Sequence, residues 1–402
     1  MRKLLSLLFF CLFSIQVFCQ QFKVGASVEI EWNGKWYPGK ILEIKGEKYY
    51  VSYDGYNAEW NEYVSASRLR EKTVNTNNTT TTSTTTSTTN SKDAIPQDTS
   101  FLIGVETIWE IAVSPDKKWI AAASAYGNVR LLKSSDMSIA HKIDLGTDPL
   151  YSIDFSYDGK YLIVGGKDVV ILSTSTGAIL TRIPEIDGVS RLRCSPIDNT
   201  VYISAAPKSN YLMTYVAQYE IPSGKRLKTI RAEVHNQDAV ISGMALSDDG
   251  KTIALGISNK AKGIELYETA SGKLMRKIKT NADVTDLDLS PDGKKIISGG
   301  IDKKGNLWDS GTGALLRTFA WGQDYISGVS FSPDGQSVAI CGRGTGAQVK
   351  VFNVSNGNLE KSFGTVNPCG NAVKFLSNRL VLVALTTYGD IARVMIIAKY
   401  GW

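Results

Sequence analysis

"LSPDGKKIISGG", residues 289–300, places Ser290, Asp292 and Gly293 just ahead of an apolar run. Asp hydrogen-bonds to its own backbone and Gly accepts positive φ, so the SPDG stretch reads as a tight turn between two strands. The template recurs as VSPDKKWIAAAS (113–124), FSYDGKYLIVGG (155–166), CSPIDNTVYISA (194–205), LSDDGKTIALGI (246–257) and FSPDGQSVAICG (331–342), with a degenerate FLSNRLVLVAL (375–385). Its anchors, Ser114, Ser156, Ser195, Ser247, Ser290, Ser332 and Leu376, are spaced by 42, 39, 52, 43, 42 and 44 residues. A second turn follows in most copies: STGAILTRI, PSGKRLKTI, ASGKLMRKI, GTGALLRTF and SNGNLEKSF.

Two turns and an alternating apolar pattern in each period of about 40 residues imply four short strands per copy. Seven copies predict a seven-bladed β-propeller over residues 101–402. This region resembles the WD-repeat family, although it has no Gly-His dipeptide and a single Trp-Asp, Trp308-Asp309. The resemblance implies that residues 100–105 supply the outer strand of the last blade and close the ring, leaving no open edge. It also implies a platform for protein partners.

In each blade the residues two and four before the anchor are expected to face the central channel, because the residues between them are apolar. These include Glu110, Asp154, Arg191, Arg193, Asp286, Asp288 and Lys374. Their mixed signs predict ion pairs across the channel rather than a substrate tunnel. An acid also precedes the inner strand in six copies: Glu106, Asp148, Asp187, Asp238, Asp283 and Asp324. The loops joining second and third strands share that face and carry Lys167, Lys208, Lys260, Lys262, Lys303, Lys304 and Arg343. The expected binding face is thus an acidic ring inside a basic one. The long interval of 52 places extra residues, around APKSNYLMTYVAQ and RAEVHNQDAV, on the same face. Asp is also a common turn residue ahead of a strand, so a purely structural role stays open.

The opposite end of the chain has a different grammar. WNGKWYPGKILEIKGEKYYVSYDGYNAEW (32–60) is dense in Trp and Tyr, and Asn33-Gly34 and Asp54-Gly55 mark hairpin turns. Five short strands are expected to close into a small barrel over residues 20–71. The run KYYVSYDGYNAEWNEYV (48–64) resembles the Tudor, chromo-barrel and Agenet family, the Tudor-knot type in particular. That resemblance implies an aromatic cage of Tyr37, Tyr53, Tyr56 and Trp60 around a methylated ammonium or a cationic peptide, held by ring faces that attract a diffuse cation. Trp32, Trp36, Tyr49 and Tyr63 read as core and barrel rim. The residues alone leave open whether the rings are a cage, a contact surface, or the apolar bulk that a domain this small needs.

Between these regions, residues 72–100 form a Thr/Ser/Asn tract with almost nothing to bury, expected to be a disordered linker. Residues 1–19, MRKLLSLLFFCLFSIQVFC, read as a signal peptide: Arg2 and Lys3 precede an apolar run too short for a comfortable span. Export to the periplasm or the extracellular space is expected, without a stable membrane span after cleavage and as a monomer. The formal charge of +6 is spread without a basic footprint in residues 22–71, which argues against nucleic acid. After cleavage Cys194, Cys341 and Cys369 remain, and Cys341–Cys369 is the expected disulfide in an oxidising compartment. His141 and His235 are the only histidines and lie in no metal spacing. No nucleophile elbow, phosphate loop or dinucleotide fingerprint occurs, so neither cofactor nor catalysis is expected. The reading is an all-β, two-domain protein-binding scaffold. A cell-envelope- or glycan-binding protein, or a propeller hydrolase, is the alternative.

Overall fold

A computed structural model describes residues 22–398 except 33–34, 46–47, 54–60, 72–98, 105–106, 184–185, 208–209, 211, 236–237, 323, 344–348, 364–367 and 388–390. Contacts divide the chain into two compact units. Among the described residues no helix is long and apolar enough to cross a membrane.

The first unit is a five-stranded curled sheet: β1 (Ser27–Trp32), β2 (Lys35–Lys45), β3 (Lys48–Tyr53), β4 (Glu62–Ser65) and β5 (Leu69–Glu71), ordered β4-β3-β2-β1-β5. Alternation puts Val28 and Ile30 of β1, Ile41 of β2, and Tyr49, Val51 and Tyr53 of β3 on the inside, all at most 6% exposed. Gly39 sits where β2 bends over β3. A Cβ there would collide with the Ser52 carbonyl and with Ile30, so the crossing requires glycine.

The second unit comprises seven four-stranded antiparallel sheets. Their innermost strands are Ile108–Val113, Ser152–Phe155, Ile186–Cys194, Val240–Leu246, Val284–Leu289, Ile326–Phe331 and Pro368–Phe375. Each contacts the next and the seventh contacts the first, so the blades form a closed propeller. Closure comes from β6 (Thr99–Gly104), which pairs antiparallel with Ile391–Ala398 as the outermost strand of blade 7. Apolar side chains collect in seven clusters, each shared by two adjacent blades. A blade therefore has no core of its own, and its stability depends on its neighbours.

The SxDG turns repeat one set of bonds. In blade 5, Ser290 Oγ donates to Asp292 Oδ1 at 2.7 Å and accepts from the Lys295 amide at 2.9 Å. Blades 1, 2, 4 and 6 do the same through Ser114, Ser156, Ser247 and Ser332. Glycine holds φ of 66–69° in four of these turns, and Lys117 takes φ 59° in blade 1. The long third interval goes largely into strands. It lengthens strands Thr200–Pro207, Met213–Glu220 and Arg226–His235, with Met213 paired to His235.

Two expectations change. Ion pairing across the channel is joined by bonds that the channel acids accept from backbone amides of the next blade. Asp154 accepts from the Cys194 amide (2.9 Å), Asp286 from Val329 (3.1 Å) and Asp288 from Phe331 (2.8 Å), each staple reaching the next blade. Arg193 and Glu110, 3.7 Å apart, supply an ion pair between channel residues. Burial pushes the carboxyls of Asp154, Asp286 and Asp288 up, and the neighbouring cations Arg193 and Lys374 only partly counter it. The second change concerns Cys341. It is a free buried thiol within the cluster shared by blades 6 and 7, not a disulfide half, and burial raises its pKa to about 12. The Cys369 side chain lies outside the described residues.

Candidate functional site

In the barrel, Asn33-Gly34 joins β1 and β2 so that Ile30 opposes Tyr37 and Trp32 opposes Lys35. Tyr53 of β3 opposes Gly39. Trp32, Tyr37 and Tyr53 consequently come together, with Tyr53 buried, Tyr37 half-buried and Trp32 39% exposed. Tyr37 meets Trp32 edge-on at 6.3 Å and 67°, and meets Tyr53 at 6.3 Å and 77°. The Tyr53 hydroxyl donates to Glu62 Oε1 at 2.7 Å, and Arg68 Nη2 donates to the same carboxylate oxygen at 2.8 Å. Burial and then the Glu62 hydrogen bond push the Tyr53 phenol up, while the Arg68 hydrogen bond holds Glu62 below the usual carboxylate range.

Of the four expected cage residues, Tyr37 and Tyr53 are therefore brought together, and Tyr56 and Trp60 lie outside the described residues. Trp32, assigned from sequence to core or rim, joins them. The signal was available, since Asn33-Gly34 in the sequence predicts a short hairpin with this register. Tyr49 is core, Trp36 stacks under Arg70 at 4.2 Å, and Tyr63 packs on Tyr50 at 4.8 Å.

On the propeller, hydrogen bonds show that the loops before the innermost strands share a face with those joining second and third strands. The Ile301 amide donates to the Asp283 carbonyl, Asp324 to the Arg343 carbonyl, and Gly188 to the Lys167 carbonyl. Asp148, Asp238 and Asp324 are exposed and Asp187 and Asp283 half-buried, as are Lys260, Lys262, Lys303, Lys304 and Arg343 exposed. Glu106 and Lys208 lie outside the described residues. Acid and base meet at Asp238–Lys260, 3.0 Å apart. No carboxylate contact of this kind involves Asp148, Asp187, Asp283 or Asp324 among the described ion pairs.

Sequence reasoning missed two residues at the centre of this face, Trp109 and Tyr151. Their rings lie 5.0 Å apart at 33°, beside a cavity of about 330 Å³ at the channel mouth. In the lone Trp-Asp, Trp308 Nε1 donates to Ser298 Oγ at 2.9 Å, and Asp309 accepts from the Thr312 amide and hydroxyl. No group of metal-ligating side chains occurs among the described residues.

A small five-stranded barrel followed in the chain by a closed seven-bladed ring defines a class of modular all-β protein, and comparison with known proteins makes that class specific. Residues 25–73 match the Agenet domain, and residues 138–168 and 272–309 match the WD domain, G-beta repeat. The chain is a WD-repeat propeller preceded by an Agenet/Tudor-like domain. It is 25% identical over 224 residues to Autophagy-related protein 16 of Arabidopsis thaliana, covering 55% of this chain and 41% of that protein. It is 24% identical over 249 residues to the Serine-threonine kinase receptor-associated protein of Mus musculus, covering 60% of this chain and 65% of that one. Protein HIR1 of Phaeosphaeria nodorum is 28% identical over 136 residues, 33% of this chain and 13% of its own. The chain thus spans less than two thirds of each of these relatives. WD-repeat relatives of this kind indicate a protein-interaction scaffold.

Proposed function

We propose that the chain is an exported, non-enzymatic adaptor, acting in the periplasm or outside the cell, whose propeller docks a protein partner on the face that carries the acidic ring. The observation that carries this reading is the convergence of Asp148, Asp187, Asp283 and Asp324 on one face of a closed, rigid ring. Exposed carboxylates steer a cationic partner more than they hold it. The triple variant Asp148→Asn/Asp283→Asn/Asp324→Asn is expected to slow association several-fold and flatten its salt dependence, with the fold intact. Binding kinetics at two ionic strengths against proteins co-purified with the full chain check this. Unchanged kinetics, together with loss of binding on substitution at the opposite SxDG turns, would reverse the face.

The barrel supplies a second recognition module in this proposal. Tyr37 and Tyr53, with Trp32 beside them, support a site for a methylated ammonium or a cationic peptide, because rings set at steep angles to one another can present their faces to a weakly hydrated cation. Titrating the full chain with trimethyl-lysine is expected to shift the NMR signals of Trp32, Tyr37 and Tyr53 with roughly micromolar to millimolar affinity. An absence of shifts at millimolar ligand would return these rings to a structural role.

A further inference from the structure

The innermost strands share an irregularity that singles out two blades. In six of them the pairing register slips at the fifth residue before the anchor, which is the mark of a β-bulge. In five of these the bulged residue is small or polar: Ser190, Ser242, Thr285, Ser327 and Asn371. Three of them bond to a carbonyl of the following blade: Ser242 to Val284, Ser327 to Gly370, and Asn371 to Ile108. In blade 1 the bulged residue is Trp109, and Tyr151 takes the same place before the anchor in blade 2. These two are 36% and 39% exposed and stack on one another. In two adjacent blades this place is taken by a large aromatic ring, and together the two form an apolar platform partly open to solvent. The two rings tie blade 1 to blade 2 through their mutual contact, yet they leave apolar surface in water beside a cavity, and that combination points to a ligand.

The platform borders the cavity at the channel mouth, whose walls include Glu110, Asp286, Arg191 and Tyr325. Glu110 is 8% exposed and lies 3.7 Å from Arg193, so a carboxylate that already faces one guanidinium lies below the aromatic rim. Across the mouth Arg343 already lies over the Tyr325 ring, 5.6 Å from its centroid. A guanidinium on a ring is therefore a contact this surface makes within its own chain. Asp148 and Asp324, exposed on the same face, add attraction for a cation.

We infer that the channel mouth is a receptor for an arginine side chain presented by a protein partner: the guanidinium stacks on Trp109–Tyr151 and its head turns down to Glu110, which it shares with Arg193. Arginine fits better than lysine, since its planar head stacks and pairs with carboxylates through two bonds. This assignment rests on the scaffold reading of the same face, and it names the group that the face takes.

The test uses the full chain and three blocked tripeptides, Ala-Arg-Ala, Ala-Lys-Ala and Ala-Glu-Ala, followed by ligand-observed NMR. Ala-Arg-Ala is expected to bind with roughly millimolar affinity, several-fold more tightly than the lysine peptide, with no binding of the glutamate peptide. Trp109→Ala/Tyr151→Ala should weaken it about tenfold. Trp109→Leu, which keeps apolar cover but removes the ring face, should weaken it several-fold with unchanged circular dichroism. No binding of Ala-Arg-Ala up to about 20 mM, equal binding of all three peptides, or full binding by Trp109→Leu would each overturn the receptor. In those cases the adaptor reading stands or falls separately, on the kinetics of the triple Asp variant.

Discussion

Glu265→Ala is expected to lower the unfolding free energy of the propeller by about 3–5 kcal/mol, the usual effect of removing one partner from a buried ion pair. Glu265 and Arg231 are 6% and 8% exposed and 2.9 Å apart. Lys277 Nζ lies 2.9 Å from the other carboxylate oxygen, and the Tyr267 hydroxyl donates to the first at 2.8 Å. Without the carboxylate, the Arg231 guanidinium is left charged and dry between blades 3 and 4. Burial pushes the Glu265 carboxyl up, but hydrogen bonds from Lys277, Tyr267 and Arg231 together more than offset it and hold it below its usual range. Since the folded value lies below the unfolded one, about 4.3, the contribution is complete above that pH and lost as pH falls through the folded value. Denaturant unfolding at pH 7 checks the magnitude. Replacing both partners, as Arg231→Met/Glu265→Leu, should restore most of the loss. A single variant as stable as the parent would show that the pair holds nothing.

Deleting Thr99–Gly104 is expected to convert the chain from its native state of association to concentration-dependent aggregates. This strand pairs Gly104 with Ala392, Leu102 with Arg393, Phe101 with Val394, Ser100 with Met395 and Thr99 with Ile396. Its loss exposes a row of unpaired amides and carbonyls on Ile391–Ala398, a template for another chain. It also frees the blade that joins the two ends of the ring. Light scattering across a concentration series, with thermal melting alongside, reads the effect. A deletion that scatters and melts like the parent would mean that closure does not depend on this strand.

The repeat count, the turns and the strands between them were legible because their causes are local. A serine, an aspartate and a glycine at fixed offsets close a turn with their own atoms, whatever lies around them. The barrel was legible for the same reason, through Asn33-Gly34 and alternating strands. The resemblances drawn from both stretches led to the Agenet and WD-repeat assignments that the comparisons support.

Other features were decided by contacts between residues far apart in the chain. Period-two counting correctly put Glu110, Asp154 and Asp288 on the channel side, but nothing local says that Asp154 will hold the Cys194 amide forty residues on. A backbone donor is present at every position, so its capture of a carboxylate is invisible to charge patterning. Cys341 looked like half of a disulfide by compartment and count, yet side-chain packing between blades 6 and 7 buries it as a thiol. The extra residues of blade 3 read as loops because length alone does not say whether a hairpin keeps pairing. Trp109 shows the limit most directly. Strict alternation sends it to the apolar side, whereas a single inserted residue shifts the register between Ile108 and Glu110 and leaves the ring half in water. The sequence determined how many blades there are and how each turns; only the tertiary structure decided which side chains meet at the channel mouth, because a bulge of one residue reverses the side that alternation assigns.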